Sequence, residues 1–289
     1  MTKLGLSLAI LLAILSNTAY GTNTSADKNT ICSISKPRTI NEQTHNKIKI
    51  QKSWLEKSKK RVIKFYNFVK HLIVINFQLL WGMWKLTRIP QPSITIFGSS
   101  RIPMDHKDAK DIYKLSKKLA LNGFTVITGG GTGLMLAANK GAFDAQKELD
   151  DPDRITSVGI TLSRFVNKKS KFEDLNNYLH ETIIMDHFFF RKWLLVKYSM
   201  GFIIPPGGYG TLDELFDVLT MIQCKEMNKV PVVLLNKRFW EPIKKHIDER
   251  LLKQKLISPG DENLLLITDD IEEAYNLISQ AHHEVNKKT

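Results

Sequence analysis

Gly129-Gly130-Gly131-Thr132-Gly133 sets four glycines around one threonine, between a β-branched run, Thr125 to Thr128, and an apolar stretch of helical character, Leu134 to Gln146. A backbone without side chains can come close to a ligand, and N–H groups that open the following helix can face an anion. That is the chemistry of a phosphate site. The spacing is not that of a dinucleotide fingerprint, because Leu134 and Leu136 stand where a third glycine would be needed, and the Gly-Lys-Ser/Thr ending of a P-loop is missing. A mononucleotide fits such a loop better than NAD or ATP. A tight turn with no ligand is the competing reading.

A second loop, Pro205-Pro206-Gly207-Gly208-Tyr209-Gly210-Thr211, again follows a short apolar run and leads into Leu212-Asp213-Glu214. Two such loops on one sheet make two sides of a pocket. Thr211 and Glu214 also have the T-x-x-E spacing of a capping box, in which both side chains satisfy free N–H groups of a helix start. Capping and ligand contact stay open together here. Arg191-Lys192 follows His187-Phe188-Phe189-Phe190 and opens another helix. By pattern alone the basic pair is a surface pair, and the phenylalanines are core rather than stacking platforms.

The elements that must position these residues alternate along the chain. Pro90 and Pro92 break the preceding pattern, and strands are expected at Ile94 to Phe97, Thr125 to Thr128, Ser157 to Ile160, Phe202 to Ile204 and Val230 to Leu235. Helices are expected at Ala109 to Asn122, Leu134 to Gln146, and near 188–198, 212–225 and 240–253. Strands alternating with crossover helices give a parallel sheet. The fold class is therefore α/β, a doubly wound Rossmann-like sheet over residues 89–280, with 281–289 as a tail. Ligands of such sheets bind outside the carboxyl ends of the strands, where both glycine loops and Gly98-Ser99 fall.

The N-terminal part has a different character. Residues 1–21 carry Lys3, an apolar run from Leu4 to Leu15 and Ala19-Tyr20-Gly21, as in a signal peptide; an uncleaved anchor and a start codon placed too early are the alternatives. The run is too short for an ordinary membrane-spanning helix. Residues 22–46 read as a linker. Residues 47–88 read as a basic helix with Trp54, Phe65, Phe68, Ile73, Phe77, Leu80 and Trp84 favouring one face. That face is expected to pack on the domain, or to lie on a membrane surface.

Between residues 33 and 88 the chain holds 13 Lys and Arg against Glu42 and Glu56, so most of the formal net charge of +13 belongs to this arm. Beyond it the signs mix, which gives no reason to expect specific nucleic-acid binding by the globular part. A solvated charged helix is the plain reading of the arm. At 43% hydrophobic residues the chain can build a sizeable core, and its two cysteines, Cys32 and Cys224, imply neither a disulfide framework nor a metal site.

The first glycine loop continued to Leu134-Met135, the Arg191-Lys192 pair and Pro206-Gly207-Gly208-Tyr209-Gly210-Thr211-Leu212-Asp213-Glu214 together resemble the LONELY GUY (LOG) family. These are cytokinin riboside 5′-monophosphate phosphoribohydrolases, often labelled lysine decarboxylases. The resemblance runs from about Ile94 to Ile278, and the stretch 188–223 looks like the longer bacterial branch. It implies that Arg191 and Glu214 are the catalytic pair. It implies nucleotide binding by Gly130, Gly131, Gly133, Gly207, Gly208, Gly210 and Thr211, with Gly98, Ser99, Thr132 and Lys192 beside them. Leu136, where many relatives have glutamate, departs from the pattern and bears on the substrate pocket. The expected activity is hydrolysis of a purine nucleoside 5′-monophosphate without a cofactor, by at least a dimer. A molybdenum-cofactor carrier is the alternative of another class. The cytoplasmic substrate and the apparent signal point to different compartments.

Overall fold

The computed structural model describes residues 40–163 and 176–286. The expectations for a leader at 1–21 and for most of the linker lie outside the described residues. The chain divides into two compact units: one ends at Ile63 and the other begins at Lys64.

Helix α1 covers Ile40–Thr87, so it begins inside the segment read as linker. Then follow β1 (Ser93–Ile96), α2 (Lys107–Leu121), β2 (Thr125–Thr128), α3 (Leu134–Gln146), β3 (Ser157–Leu162) and β4 (Glu181–Met185). The remainder is α4 (Phe188–Lys197), β5 (Phe202–Ile204), α5 (Tyr209–Gln223), β6 (Val232–Leu235), α6 (Lys237–His246), β7 (Leu265–Thr268) and α7 (Ile271–Asn286). A π-helical turn, Ile247–Leu252, prolongs α6. β4, β7 and α7 add to the expected elements, and α7 runs into the segment read as a tail.

All seven strands are parallel, in the order β4-β3-β2-β1-β5-β6-β7. The chain steps outward from β1 to β4, returns to the middle at β5, and steps outward the other way. The reversal lies between β1 and β5, where a crevice opens at the carboxyl ends of a doubly wound sheet. Strands β1, β2, β3, β5 and β6 are buried along their whole length, as expected of strands covered on both faces.

Two apolar cores hold the layers together. On one side Ile112, Leu115 and Leu119 of α2 and Ala137, Ala138 and Ala142 of α3 meet Ile94, Ile96 and Val126. Gly141 lets α3 close on α2, because a Cβ there would overlap the carbonyl of Tyr113. On the other side Leu194 and Leu195 of α4, Leu215 and Val218 of α5 and Trp240 of α6 cover Ile127, Ile160, Phe202 and Leu234.

The last turns of α1 join this second core through a different face from the one expected. Leu86 is buried, Gly82 lies against Leu194 and Met185, and Lys85 bonds Glu181 at 2.6 Å. Gln78 donates to the Asp186 carboxylate. Phe65, Phe68, Ile73, Phe77, Leu80 and Trp84, the residues expected to pack, are instead exposed.

Candidate active site

The loops that follow β1, β2 and β5 are laced together at the carboxyl edge. Ser99 N–H donates to the Pro206 carbonyl at 3.2 Å, and Leu134 N–H donates to the Ser99 carbonyl at 2.9 Å. Thr132 Oγ1 donates to the Ser100 carbonyl at 2.9 Å. Gly98 is as close as a side chain permits, since a Cβ there would stand 3.0 Å from Leu134 Cβ and 3.1 Å from Pro205 Cγ. Gly98, Ser99, Thr132 and Gly133 are thus brought together at the β1–β5 crevice.

Within the first loop, Gly130 and Gly133 have φ of 69° and 65°, a backbone region that disfavours side chains. Gly133 also turns its α-carbon toward the Ser99 and Ser100 backbone, which a methyl group would overlap. Gly133 is the N-cap of α3, and among the described residues no side chain caps that helix. A buried polar network supports the loop from below. Gly130 N–H donates to Thr128 Oγ1 at 2.9 Å, and that hydroxyl donates to Asn139 Oδ1. Asn176 Nδ2 donates to the Gly131 carbonyl and to Asn139 Oδ1, each at 3.1 Å. Asn139 Nδ2 reaches Ser157 Oγ at 3.0 Å. Neither asparagine was found by pattern, because no local motif marks two amides 37 residues apart in the chain.

Arg191 sits on α4 and is 7% exposed, which corrects its reading as a surface residue. Its Nε donates to the Ile160 carbonyl at 2.9 Å, near the end of β3. The guanidinium lies against the first loop so closely that a Cβ at Gly129 would overlap it. Phe188 brackets it, with the guanidinium carbon 5.8 Å from the ring centre. A cation removed from water in this way needs fixed partners, and it keeps a fixed direction in return. Lys192 points elsewhere: its ammonium is 3.0 Å from Asp213 and 3.5 Å from Asp217, so it ties α4 to α5.

The second loop opens α5, whose N-cap is Gly208 and whose first residue is Tyr209. Thr211 is therefore the third residue of the helix and not its cap, which is Gly208. The capping-box reading of Thr211 and Glu214 is overturned: the helix starts too early for it. Thr211 is buried and folds back on Gly207, where a Cβ would overlap it. Glu214 follows one turn further along the same side of α5 and is half-buried. Gly208 and Gly210 are exposed, and among the described residues nothing lies within 4 Å of a Cβ added at either. The N–H groups opening α5 thus border open space at the positive end of a helix.

At the end of β4, hydrogen bonds from Ser163 and then Gln78 hold the Asp186 carboxyl below the usual carboxylate range. Among the described residues no group of three or more His, Cys, Asp or Glu is placed to hold a metal ion. A hollow of about 560 Å³ lies away from this edge, at the amino ends of β5 and β6, bounded by Trp193, Met221 and Pro231.

A seven-stranded parallel sheet with glycine loops after β2 and β5, and a buried arginine against the first of them, defines an α/β protein of Rossmann-like fold. Residues 135–278 match the family model described as "Possible lysine decarboxylase". The chain is 25% identical over 195 residues to a "Probable cytokinin riboside 5'-monophosphate phosphoribohydrolase LOG4" of Oryza sativa subsp. japonica, covering 67% of this chain and 79% of that protein. It is 32% identical over 84 residues to a cytokinin riboside 5′-monophosphate phosphoribohydrolase of Rhodococcoides fascians, covering 29% of this chain and 42% of that protein. Among solved structures, a molybdenum cofactor binding protein from Rippkaea orientalis is 25% identical with a TM-score of 0.45, over 66% of this chain and 96% of that one. The chain belongs to the LOG family.

Proposed function

We propose that the protein hydrolyses the N-glycosidic bond of a purine nucleoside 5′-monophosphate, releasing the free base and ribose 5-phosphate. The observation that carries this reading is the Arg191 guanidinium, buried between the Ile160 carbonyl and Gly129 of the first glycine loop. Relatives named as phosphoribohydrolases support the reaction class.

In such a reaction the C1′–N bond breaks with its electron pair leaving on the base. The oxygen of water then bonds to C1′, and its proton ends on the base. The ribose passes through an oxocarbenium-like state, so a carboxylate beside C1′ stabilises the developing positive charge or takes the proton of the attacking water. Glu214 supplies that carboxylate. The N–H groups at the start of α5, with Thr211 and Gly133, receive the 5′-phosphate, and Arg191 orients the nucleotide by a fixed cationic fork. Lys192 is left out of this assignment, because Asp213 and Asp217 engage it.

The test is chromatographic detection of free base and ribose 5-phosphate after incubating the full chain with AMP, GMP and N6-isopentenyl-AMP, beside a Glu214→Ala variant. Release from at least one nucleotide is expected, slowed by roughly 10²–10⁴-fold in a variant that still folds by circular dichroism. Unchanged turnover in Glu214→Ala would remove its catalytic role. Tight binding without release from any of them would make the protein a carrier.

A further inference from the structure

We infer that the outward face of α1 from Lys64 to Thr87, with Arg88 just past its end, is a docking surface for an anionic lipid bilayer. Tyr66, Ile73, Phe77, Leu80 and Trp84 follow one another at intervals of seven, four, three and four residues, which places them on one side of a helix. They are between 54% and 68% exposed. The opposite side, with Gly82 and Leu86, is the one that meets the sheet domain. The stripe is therefore not surplus core. An apolar strip of this length on a soluble surface marks contact with something else.

Charge decides what covers it. From Lys57 to Met104 the sequence holds no Asp or Glu, while Lys70 and Arg88 flank the stripe. A second copy laid along the same face would bring only more cations, whereas paired helices draw their partner choice from opposite charges beside the seam. An anionic headgroup layer supplies the missing sign, and each basic residue near it adds to binding. The aromatic residues suit the same place: Tyr66 and Trp84 have polar atoms on apolar rings, as at a membrane–water boundary. The Arg88 guanidinium carbon lies 4.6 Å from the centre of the Trp84 ring. The contact is with the surface of the bilayer, since among the described residues no helix is long and apolar enough to cross one.

The experiment is co-sedimentation of the full chain with vesicles of phosphatidylcholine alone and with vesicles in which phosphatidylglycerol replaces a third of it. The wild type is expected to bind the anionic vesicles in preference, less so as salt rises. Phe77→Glu/Leu80→Glu should weaken that binding by roughly a hundredfold or more, because two exposed apolar side chains no longer enter the lipid. Lys70→Glu/Arg88→Glu should remove the preference for anionic over neutral vesicles. Both variants change exposed side chains, so thermal melts should match the wild type. Equal binding to both vesicle types, or to neither, overturns the proposal. So does lipid binding that survives Phe77→Glu/Leu80→Glu, which would assign it to another segment. A dimer that this double variant splits, with no lipid binding by the wild type, would make the occupant a second copy.

Discussion

The two glycine loops resemble each other as strings of letters and differ as pieces of structure. In the first, Gly129, Gly130 and Gly131 are buried, and Gly129 and Gly133 leave no room for a methyl group beside the Arg191 guanidinium and the Ser99 backbone. In the second, among the described residues, Gly208 and Gly210 border open space and Gly207 is filled from behind by Thr211. The first loop uses glycine for shape, to let strands, loop and arginine converge. The second uses glycine for access, keeping the start of α5 clear for what binds there.

If that contrast is right, alanine should have opposite signatures in the two loops. Gly133→Ala should have the largest effect on folding: a non-glycine residue at φ of 65° costs about 1–3 kcal/mol from the backbone alone. Overlap with the Ser99 carbonyl adds to this, so a fall in Tm on the order of 10 °C is expected by scanning calorimetry. A melting temperature equal to the wild type would show that the first loop is not under packing constraint.

Asn139→Ala tests the same loop from beneath and should rank second. It removes the acceptor of Thr128 and of Asn176 and leaves buried polar groups without that partner. The expected cost is about 1–3 kcal/mol, with a higher KM for nucleotide and a smaller change in kcat, because the loop loses its height before the arginine loses its direction. A matching loss in kcat at unchanged KM would place the network under the reacting groups instead.

How much of this could be read from the letters follows the same division. The alternation of apolar runs and helices is local, and it located five of the seven strands and both loops. β4 and β7 are the two edge strands, and both have mixed burial patterns, so neither gives the continuous buried run that marks the inner strands. The burial of Arg191 depends on Ile160, 31 residues away, and the Asn139–Asn176 pair spans 37; periodicity holds no information on either. On α1 the period identified the apolar stripe and could not say what faced it, since a helix repeats in the same way whether its stripe meets a core, a lipid or water. The T-x-x-E spacing misled for a comparable reason: Tyr209 and Gly210 take helical conformations, and a helix that starts at Tyr209 makes Thr211 an interior residue.

Gly208→Ala sharpens the comparison at its quiet end. The residue has φ of −92° and ψ of −155°, which alanine adopts without strain, and a Cβ there meets nothing within 4 Å among the described residues. Alanine is a slightly poorer N-cap than glycine, so stability should fall by no more than about 1 kcal/mol. The methyl group would nevertheless stand where an anion approaches the N–H groups of α5, and binding of AMP measured by titration calorimetry should weaken by about tenfold, near 1.4 kcal/mol. Loss of affinity without loss of stability is the signature of a loop kept bare for a ligand. Should both stay at the wild-type value, the phosphate does not reach α5, and the anion site belongs to the first loop alone.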